Sequence, residues 1–263
     1  MSPSELPVSS APVRRAAIVD LITQRGFMTV ELLADRFKVT QQTIRRDVNT
    51  LYDEGRVNRY HGGAGPALGG RNVGYSARKV LFLEEKRRIA KLAAAQIPHG
   101  ASVILNIGTT TEEVARALIY HRNLRVITNN LHVAQVMSQS EDCEIILAGG
   151  LVRKQDGGIL GEATLDMINQ FRADYAVMGI SGIDLDGTLL DYDYQEVRVS
   201  QAIIRNARRV FIVTDHSKFG RPAMVRMGAI RDADALFTDA APPEVLRELL
   251  EAASVELHIA PEG

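Results

Sequence analysis

Thr40-Gln-Gln-Thr-Ile-Arg-Arg-Asp-Val-Asn-Thr-Leu51 carries an apolar stripe and a polar face in twelve residues. Thr40 has the side chain of a helix N-cap, an oxygen that accepts from the amides left unpaired in the first turn. Ile44, Val48 and Leu51 follow at i, i+4 and i+7, one face of a helix. At about 100° per residue, Gln42, Arg45, Arg46 and Asn49 share the other face. Two guanidiniums and two carboxamides are the groups that pair with guanine and adenine edges in a major groove. Taken alone, such a helix also reads as an ordinary solvated face.

The neighbouring residues decide between these readings. Ala17, Ile18, Leu21 and Ile22 mark an earlier amphipathic helix, with Gly26 placed to end it. Thr29 can cap a second helix, with Glu31 in its first turn and Val30, Leu33, Ala34 and Phe37 as its buried face. Only Lys38 and Val39 separate that helix from Thr40. Two helices joined by so short a turn, the second with Arg, Gln and Asn outward, form a helix-turn-helix. After Gly55, the run Val57-Asn-Arg-Tyr-His-Gly-Gly-Ala64 has the character of a wing, with Arg59 placed to meet a phosphate. His61 belongs to the wing tip rather than to a metal site, since no second ligand is near it in sequence. The expected DNA-binding residues are Lys38, Thr40, Gln41, Gln42, Thr43, Arg45, Arg46, Asn49 and Arg59. A helical protein-docking module is the alternative.

Composition sets the outer limits. The 263 residues can hold one large or two ordinary domains, with 46% hydrophobic and 24% charged residues, as in soluble globular proteins. No apolar run approaches the roughly 18–20 residues of a membrane span. Residues 1–13 are Ser/Pro-rich, without a basic start or apolar core, and read as a disordered tail rather than a signal peptide. Cys143 is the single cysteine, which excludes an internal disulfide and a multi-cysteine zinc site. A cytoplasmic protein is expected. Residues 1–70 hold nine Lys/Arg against seven Asp/Glu, and residues 71–263 hold 22 against 25. So small an imbalance makes position, not bulk charge, the argument for nucleic acid.

Residues 65–74 are glycine-rich and lack a periodic pattern, so a linker is expected over 68–77, after a DNA-binding domain of 14–67. The remaining residues, 78–263, alternate apolar runs with helical patterns. Strands are expected at 102–107, 125–128, 144–148, 175–178, 209–214 and 255–260. Helices are expected from Glu84 with Ile89, Leu92, Ala93 and Ile97 inward, and at 110–118, 131–138, 162–171, 194–206 and 242–253. Such alternation implies an open, mostly parallel α/β sheet.

Ligands of these sheets bind beyond the carboxyl ends of the strands. Leu105-Asn-Ile-Gly-Thr-Thr-Thr111 runs there from strand to helix start, offering amides, hydroxyls and a helix dipole to an anion. Plain helix capping is the competing account. The stretch is neither a P-loop nor GxGxxG, so no nucleotide cofactor is expected. The candidate effector residues are Asn106, Gly108, Thr109, Thr110, Thr111, Asn129, Asn130, Gly149, Gly150, Arg153, Asp184, Glu196 and Lys218. Asn130 can hydrogen-bond a hydroxyl, while Arg153 and Lys218 can neutralise a phosphate. Each glycine can instead mark only a tight turn, and each charge only a surface. Asp184, Asp186, Asp191, Asp193 and Glu196 are acidic but lack a regular ligand spacing, so no metal is expected.

Arg14, Ile18 and Ile22, then Thr40-Gln-Gln-Thr-Ile-Arg-Arg-Asp-Val48 and His61-Gly-Gly-Ala64, resemble the helix-turn-helix and wing of the DeoR family of bacterial regulators. The resemblance continues through Asn106-Ile-Gly-Thr-Thr110, Ile127-Thr-Asn-Asn-Leu131, Ile146-Leu-Ala-Gly-Gly150, the run 156–166, Gly179-Ile-Ser-Gly-Ile-Asp184, Asp193-Tyr-Gln-Glu-Val-Arg198 and Asp215-His-Ser-Lys-Phe-Gly220. These motifs are most similar to those of the family's glycerol-3-phosphate-responsive members. The resemblance implies a repressor released from operator DNA by sn-glycerol 3-phosphate, usually a homotetramer. It also implies a sensor domain similar in fold to ribose-5-phosphate isomerase. Asn106 stands where family members often have Asp, which changes the charge expected beside the effector. Another phosphorylated sugar is an alternative effector. An enzyme is the rival class, with Glu196 as a base and Asp215-His-Ser-Lys218 gripping substrate; the fused helix-turn-helix favours a sensor that kept the pocket and lost the reaction.

Overall fold

The computed structural model describes residues 10–25, 28–60, 62–66 and 74–261. The chain divides into two compact units, 1–81 and 82–263. Residues 1–9 of the expected tail, Gly26, His61 and Ala67 of the expected DNA-binding domain, and residues 68–73 of the expected linker lie outside the described residues.

In the first unit, α1 (Ala11–Arg25), α2 (Val30–Phe37) and α3 (Gln41–Asp53) pack with a small antiparallel sheet. Its strands are β1 (Met28–Thr29), β2 (Val57–Tyr60) and β3 (Gly63–Pro66), in the order β1-β3-β2. The expected tail is thereby corrected at its end: Ala11, Pro12 and Val13 belong to α1. Pro12 is tolerated because first-turn amides have no intrahelical acceptor, and Arg14 N–H closes the turn on Ser10 O at 3.0 Å. The expected linker is corrected as well, since α4 (Tyr75–Val80) occupies part of it. Ala77 within it and Leu81 at its C-cap, one turn apart, are buried, too brief a pattern to show as periodicity. The core holds Ile18 and Ile22 from α1, Val30, Leu33 and Ala34 from α2, and Ile44, Val48 and Leu51 from α3.

One position on the α3 stripe is not apolar. Asp47, at i+3 from Ile44, is buried with the stripe, and Arg14 Nε from α1 donates to its Oδ2 at 2.6 Å. Both side chains are under 10% exposed. Removing one partner of such a pair leaves an uncompensated buried charge, a cost of about 3–5 kcal/mol.

The second unit is α/β. Among the described residues its sheet has seven parallel strands: β4 (Ser102–Leu105), β5 (Leu124–Thr128), β6 (Cys143–Leu147), β9 (Ala173–Met178), β12 (Ala207–Val213), β14 (Ala235–Thr238) and β15 (Glu256–Ile259). Their order is β15-β14-β12-β9-β4-β5-β6. Both faces are covered, so central strands are apolar at consecutive positions. Val103 and Leu105 face the layer of α5 (Leu83–Ala94), α6 (Thr109–Leu118) and α7 (Leu131–Met137), alongside Ile89, Val114 and Val133. Ile104 faces the layer of α8 (Glu162–Ile168), α9 (Tyr194–Arg205) and α10 (Glu244–Ala252), alongside Leu165, Ile203 and Leu246.

The sequence reading omitted β14, whose four residues are all buried. It also omitted two small antiparallel sheets. One pairs β7 (Leu151–Arg153) with β8 (Gly158–Leu160). The other has β11 (Thr188–Asp191) between β10 (Gly182–Ile183) and β13 (Val225–Ala229). The chain lays down β4, β5 and β6 outward, then crosses to β9 on the other side of β4. That reversal is where a doubly wound sheet opens a crevice at its strand ends.

Candidate nucleic-acid interface and effector site

The turn into α3 is built by two residues with opposite backbone demands. Lys38 ends α2 in the left-handed region, φ 53 and ψ 42, and Thr40 caps α3 from an extended conformation. Thr40 Oγ1 accepts from Thr43 N–H at 3.2 Å and lies 2.9 Å from Thr43 Oγ1, so these two hydroxyls secure the first turn. Gln41, Gln42, Arg45, Arg46 and Asn49 are exposed along α3, as is Lys38 before it.

Arg59 on β2 donates from Nη1 to Asn49 Oδ1 at 3.2 Å, and its guanidinium lies 5.7 Å from the centre of the Tyr52 ring. Arg45, Asn49 and Arg59 line one groove with Val30, Val48, Gly62 and Gly63. Hairpin and helix therefore share a surface. Tyr52 was not among the expected residues; its partner lies seven positions on, across a strand that helical periodicity does not reach.

At the reversal between β4 and β9, Asn106 N–H donates to Val177 O at 3.1 Å. Gly108 has φ 154, and a β-carbon there would stand 3.7 Å from Gly179 Cα and 3.1 Å from Thr111 Oγ1. Two loops meet so closely here that Gly108 serves both for its backbone angle and for its size. Gly108 is the N-cap of α6 and supplies no side-chain cap, so the first-turn amides of Thr109, Thr110 and Thr111 face the crevice end without a capping oxygen. Thr109 and Thr110 are buried beside them. Thr111 Oγ1 is differently engaged, 2.8 Å from Asn106 O and 2.7 Å from Gly108 O, and so holds the loop.

Three buried carboxamides follow the paired ends of β4 and β5. Asn106 Nδ2 donates to Ser200 Oγ of α9 at 3.0 Å, and its Oδ1 has no hydrogen-bond partner among the described residues. Asn129 Nδ2 donates to Ile159 O at 3.2 Å, and its Oδ1 is also without one. Asn130 Oδ1 caps α7 by accepting from His132 N–H at 2.9 Å, while Nδ2 has no partner among the described residues. Unsatisfied buried polar atoms are costly unless a ligand or water meets them.

The charged candidates are placed differently from one another. Arg153 is the centre of an ion cluster: Nε and Nη2 donate to Asp156 at 2.9 and 2.7 Å, Nη1 to Asp193 at 2.8 Å, and Nη2 to Glu196 at 2.6 Å. Burial works against its charge, but the bonds to Asp156 and the Glu196 carboxylate raise its pKa. The cluster already carries three carboxylates on one guanidinium, so Arg153 is ill placed to neutralise a phosphate. Asp184 is exposed in the turn between β10 and β11, where its carboxylate accepts from Leu185 N–H at 2.7 Å. Gly149 O accepts from Thr164 Oγ1 at 2.8 Å, and a β-carbon on Gly150 would come within 2.4 Å of that oxygen. Gly149 is thus tied to α8 by a hydrogen bond, and Gly150 by close packing.

Lys218 ends a 3-10 turn, His216–Lys218, just beyond β12. Beside it Asp215 is buried; desolvation works to raise its pKa, but the Lys218 and Lys86 ammonium charges prevail and hold it below the usual carboxylate range. Lys86 was missed by the sequence reading. It sits three residues before Ile89 on the inward face of α5 and is 3% exposed. A lysine on an apolar stripe is the signal that would have found it. Among the described residues no group of three or more His, Cys, Asp or Glu is arranged to hold a metal ion, and no helix is long and apolar enough to cross a membrane.

Residues 14–67 match the DeoR-like helix-turn-helix domain, and residues 82–240 match the DeoR C terminal sensor domain. The chain is 50% identical over 246 residues to the glycerol-3-phosphate regulon repressor of Escherichia coli K12, covering 94% of this chain and 98% of that protein. It is 46% identical over 239 residues to the protein of the same name from Haemophilus influenzae, covering 91% and 93%. Among solved structures, ribose 5-phosphate isomerase A of Methanocaldococcus jannaschii overlaps 52% of this chain and 55% of its own at 15% identity and a TM-score of 0.39, a likeness too slight to bear on function. With both of its units matched and its relatives aligned almost end to end, the chain belongs to the DeoR family of transcriptional regulators.

Proposed function

We propose that the protein is a cytoplasmic repressor of glycerol 3-phosphate metabolism, bound to operator DNA and released by sn-glycerol 3-phosphate. The observation that carries this reading is the 50% identity to a glycerol-3-phosphate regulon repressor across nearly the full length of both chains. In this reading Gln42, Arg45, Arg46 and Asn49 read base edges, while Lys38, Thr40, Gln41, Thr43 and Arg59 hold the DNA backbone. One helix-turn-helix spans a half-site, so the working form is an oligomer, a homotetramer by family resemblance.

The effector's phosphate sits against the first-turn amides of α6, with Thr109, Thr110 and Lys218 adding donors, and its hydroxyls meet Asn106, Asn129 and Asn130. An isomerase reading is less well supported: the Glu196 carboxylate is held 2.6 Å from Arg153 Nη2 rather than poised as a base. Titration calorimetry with sn-glycerol 3-phosphate, with and without operator, tests the reading. Binding coupled to DNA must be reciprocal, each ligand weakening the other by the same factor. Glycerol, lacking the dianion, is expected to give no heat; absence of heat with sn-glycerol 3-phosphate itself rejects the effector.

A further inference from the structure

The chain passes from the DNA-binding unit into the sensor unit at Leu81–Phe82. Phe82 is left-handed, φ 54 and ψ 39. A bulky side chain disfavours that region, so a residue found there is held by its surroundings, and such positions gather at switch regions. Phe82 caps α5 without a side-chain hydrogen bond, and Lys86 N–H donates to its carbonyl at 2.9 Å.

What holds it is the loop after β12. The Phe82 ring meets the His216 ring edge-on, with centroids 4.8 Å apart and planes at 65°. His216 is in turn clamped to Asp239 beyond β14: its N–H donates to Oδ1 at 2.7 Å, and Nδ1 lies 2.5 Å from Oδ2. One turn into α5, Lys86 is buried, and its charge helps hold the Asp215 carboxyl of the same loop below the usual range. The first turn of α5 thus meets the Asp215–Lys218 loop through the Phe82–His216 ring contact, and the charge on Lys86 favours the Asp215 carboxylate of that loop. Lys218, proposed above as an effector cation, closes that loop.

We propose that Phe82 is the positioning residue through which effector occupancy reaches the DNA-binding unit; this rests on the effector reading above. A phosphate drawn to Lys218 competes with Asp215 for the same ammonium. Because Lys218 and His216 share one 3-10 turn, the turn carrying His216 resettles. Phe82 feels the change through its ring, and its strained backbone is where the chain leaves the sensor unit. A two-state element biased from both sides is what allosteric coupling requires.

The test uses full-length protein. Operator affinity is measured by fluorescence anisotropy with and without saturating sn-glycerol 3-phosphate, and affinity for that ligand by calorimetry. Unsubstituted protein is expected to show a coupling factor in the ordinary range of about 5–150-fold. Phe82→Ala is expected to keep each separate affinity within about threefold while the coupling factor falls towards one. Phe82→Tyr, which retains the ring, should retain the coupling. A merely structural role would lower the melting temperature without changing the ratio of operator affinities. Should Phe82→Ala not fold, Phe82→Leu, apolar but without a ring, replaces it with the same expected loss. Unchanged coupling in the folded variant overturns the relay alone. An unsubstituted protein that binds sn-glycerol 3-phosphate without any change in operator affinity, or does not bind it, overturns the effector reading and the relay together.

Discussion

Arg45 and Arg59 line the same groove, yet their surroundings assign them different work. Arg59 is steadied by Asn49 and the Tyr52 ring, a fixed cation suited to a phosphate. Arg45 is exposed on the outward face of α3, where a guanidinium can fork onto a guanine. Arg45→Ala is therefore expected to cost about 1–3 kcal/mol per half-site on operator DNA and little on random DNA. Arg59→Ala should weaken both DNAs alike and lower the salt slope by about one. Gel shifts on both DNAs across a salt series separate the two, and equal losses of specificity would contradict the assignment. Arg45 was legible from helical period alone. The Asn49–Arg59 bond was not, because it forms only when the turn after α3 folds β2 back along the helix.

At the scale of elements, the start of α6 combines two kinds of threonine that sequence cannot distinguish. Thr111 holds the loop by its hydroxyl, whereas Thr110 sits buried at the amide end without that engagement. Thr110→Ala should therefore raise the effector dissociation constant about ten- to a hundredfold, the loss of one hydrogen bond to a charged group at about 1.5–3 kcal/mol. Its melting temperature should stay near that of the unsubstituted protein. Thr111→Ala and Gly108→Ala should instead lower both stability and effector affinity, since one frees the loop and the other forces a β-carbon into a backbone angle of φ 154. Calorimetry and thermal unfolding on the three variants decide it; a Thr110→Ala protein with unchanged affinity would exclude that hydroxyl from the site.

Across the sensor unit as a whole, stability is linked to pH through His216. The hydrogen bond to Asp239 raises its pKa above 6.5, burial opposes this, and the charges of Asp239, Asp215 and Glu85 add to the rise. A folded value above the unfolded one means that the imidazolium contributes fully below about pH 6.5 and less as pH climbs through the raised value. The melting temperature of His216→Gln is thus expected to lie furthest below that of unsubstituted protein near about pH 6, and the gap to narrow by about pH 9. A gap that widened with pH would mean that the neutral ring is the stabilising form.

Local regularities were enough for the sequence to determine the helix-turn-helix, the α/β class and the polar turns at the strand ends. A helix repeats its apolar residues every three or four positions, and a buried parallel strand shows a short apolar run. Two charged residues break such stripes, Asp47 on α3 and Lys86 on α5, and only the tertiary structure supplied the reason. Arg14 waits 33 positions away for the first, and Asp215 of a distant loop answers the second. The same limit hid β14, four buried residues that are a strand because β12 and β15 flank them, and it made Arg153 look available when three carboxylates already surround it. Charge is long-ranged and pairing is non-local, so which buried ions are neutralised, and by what, is settled only when the chain has closed.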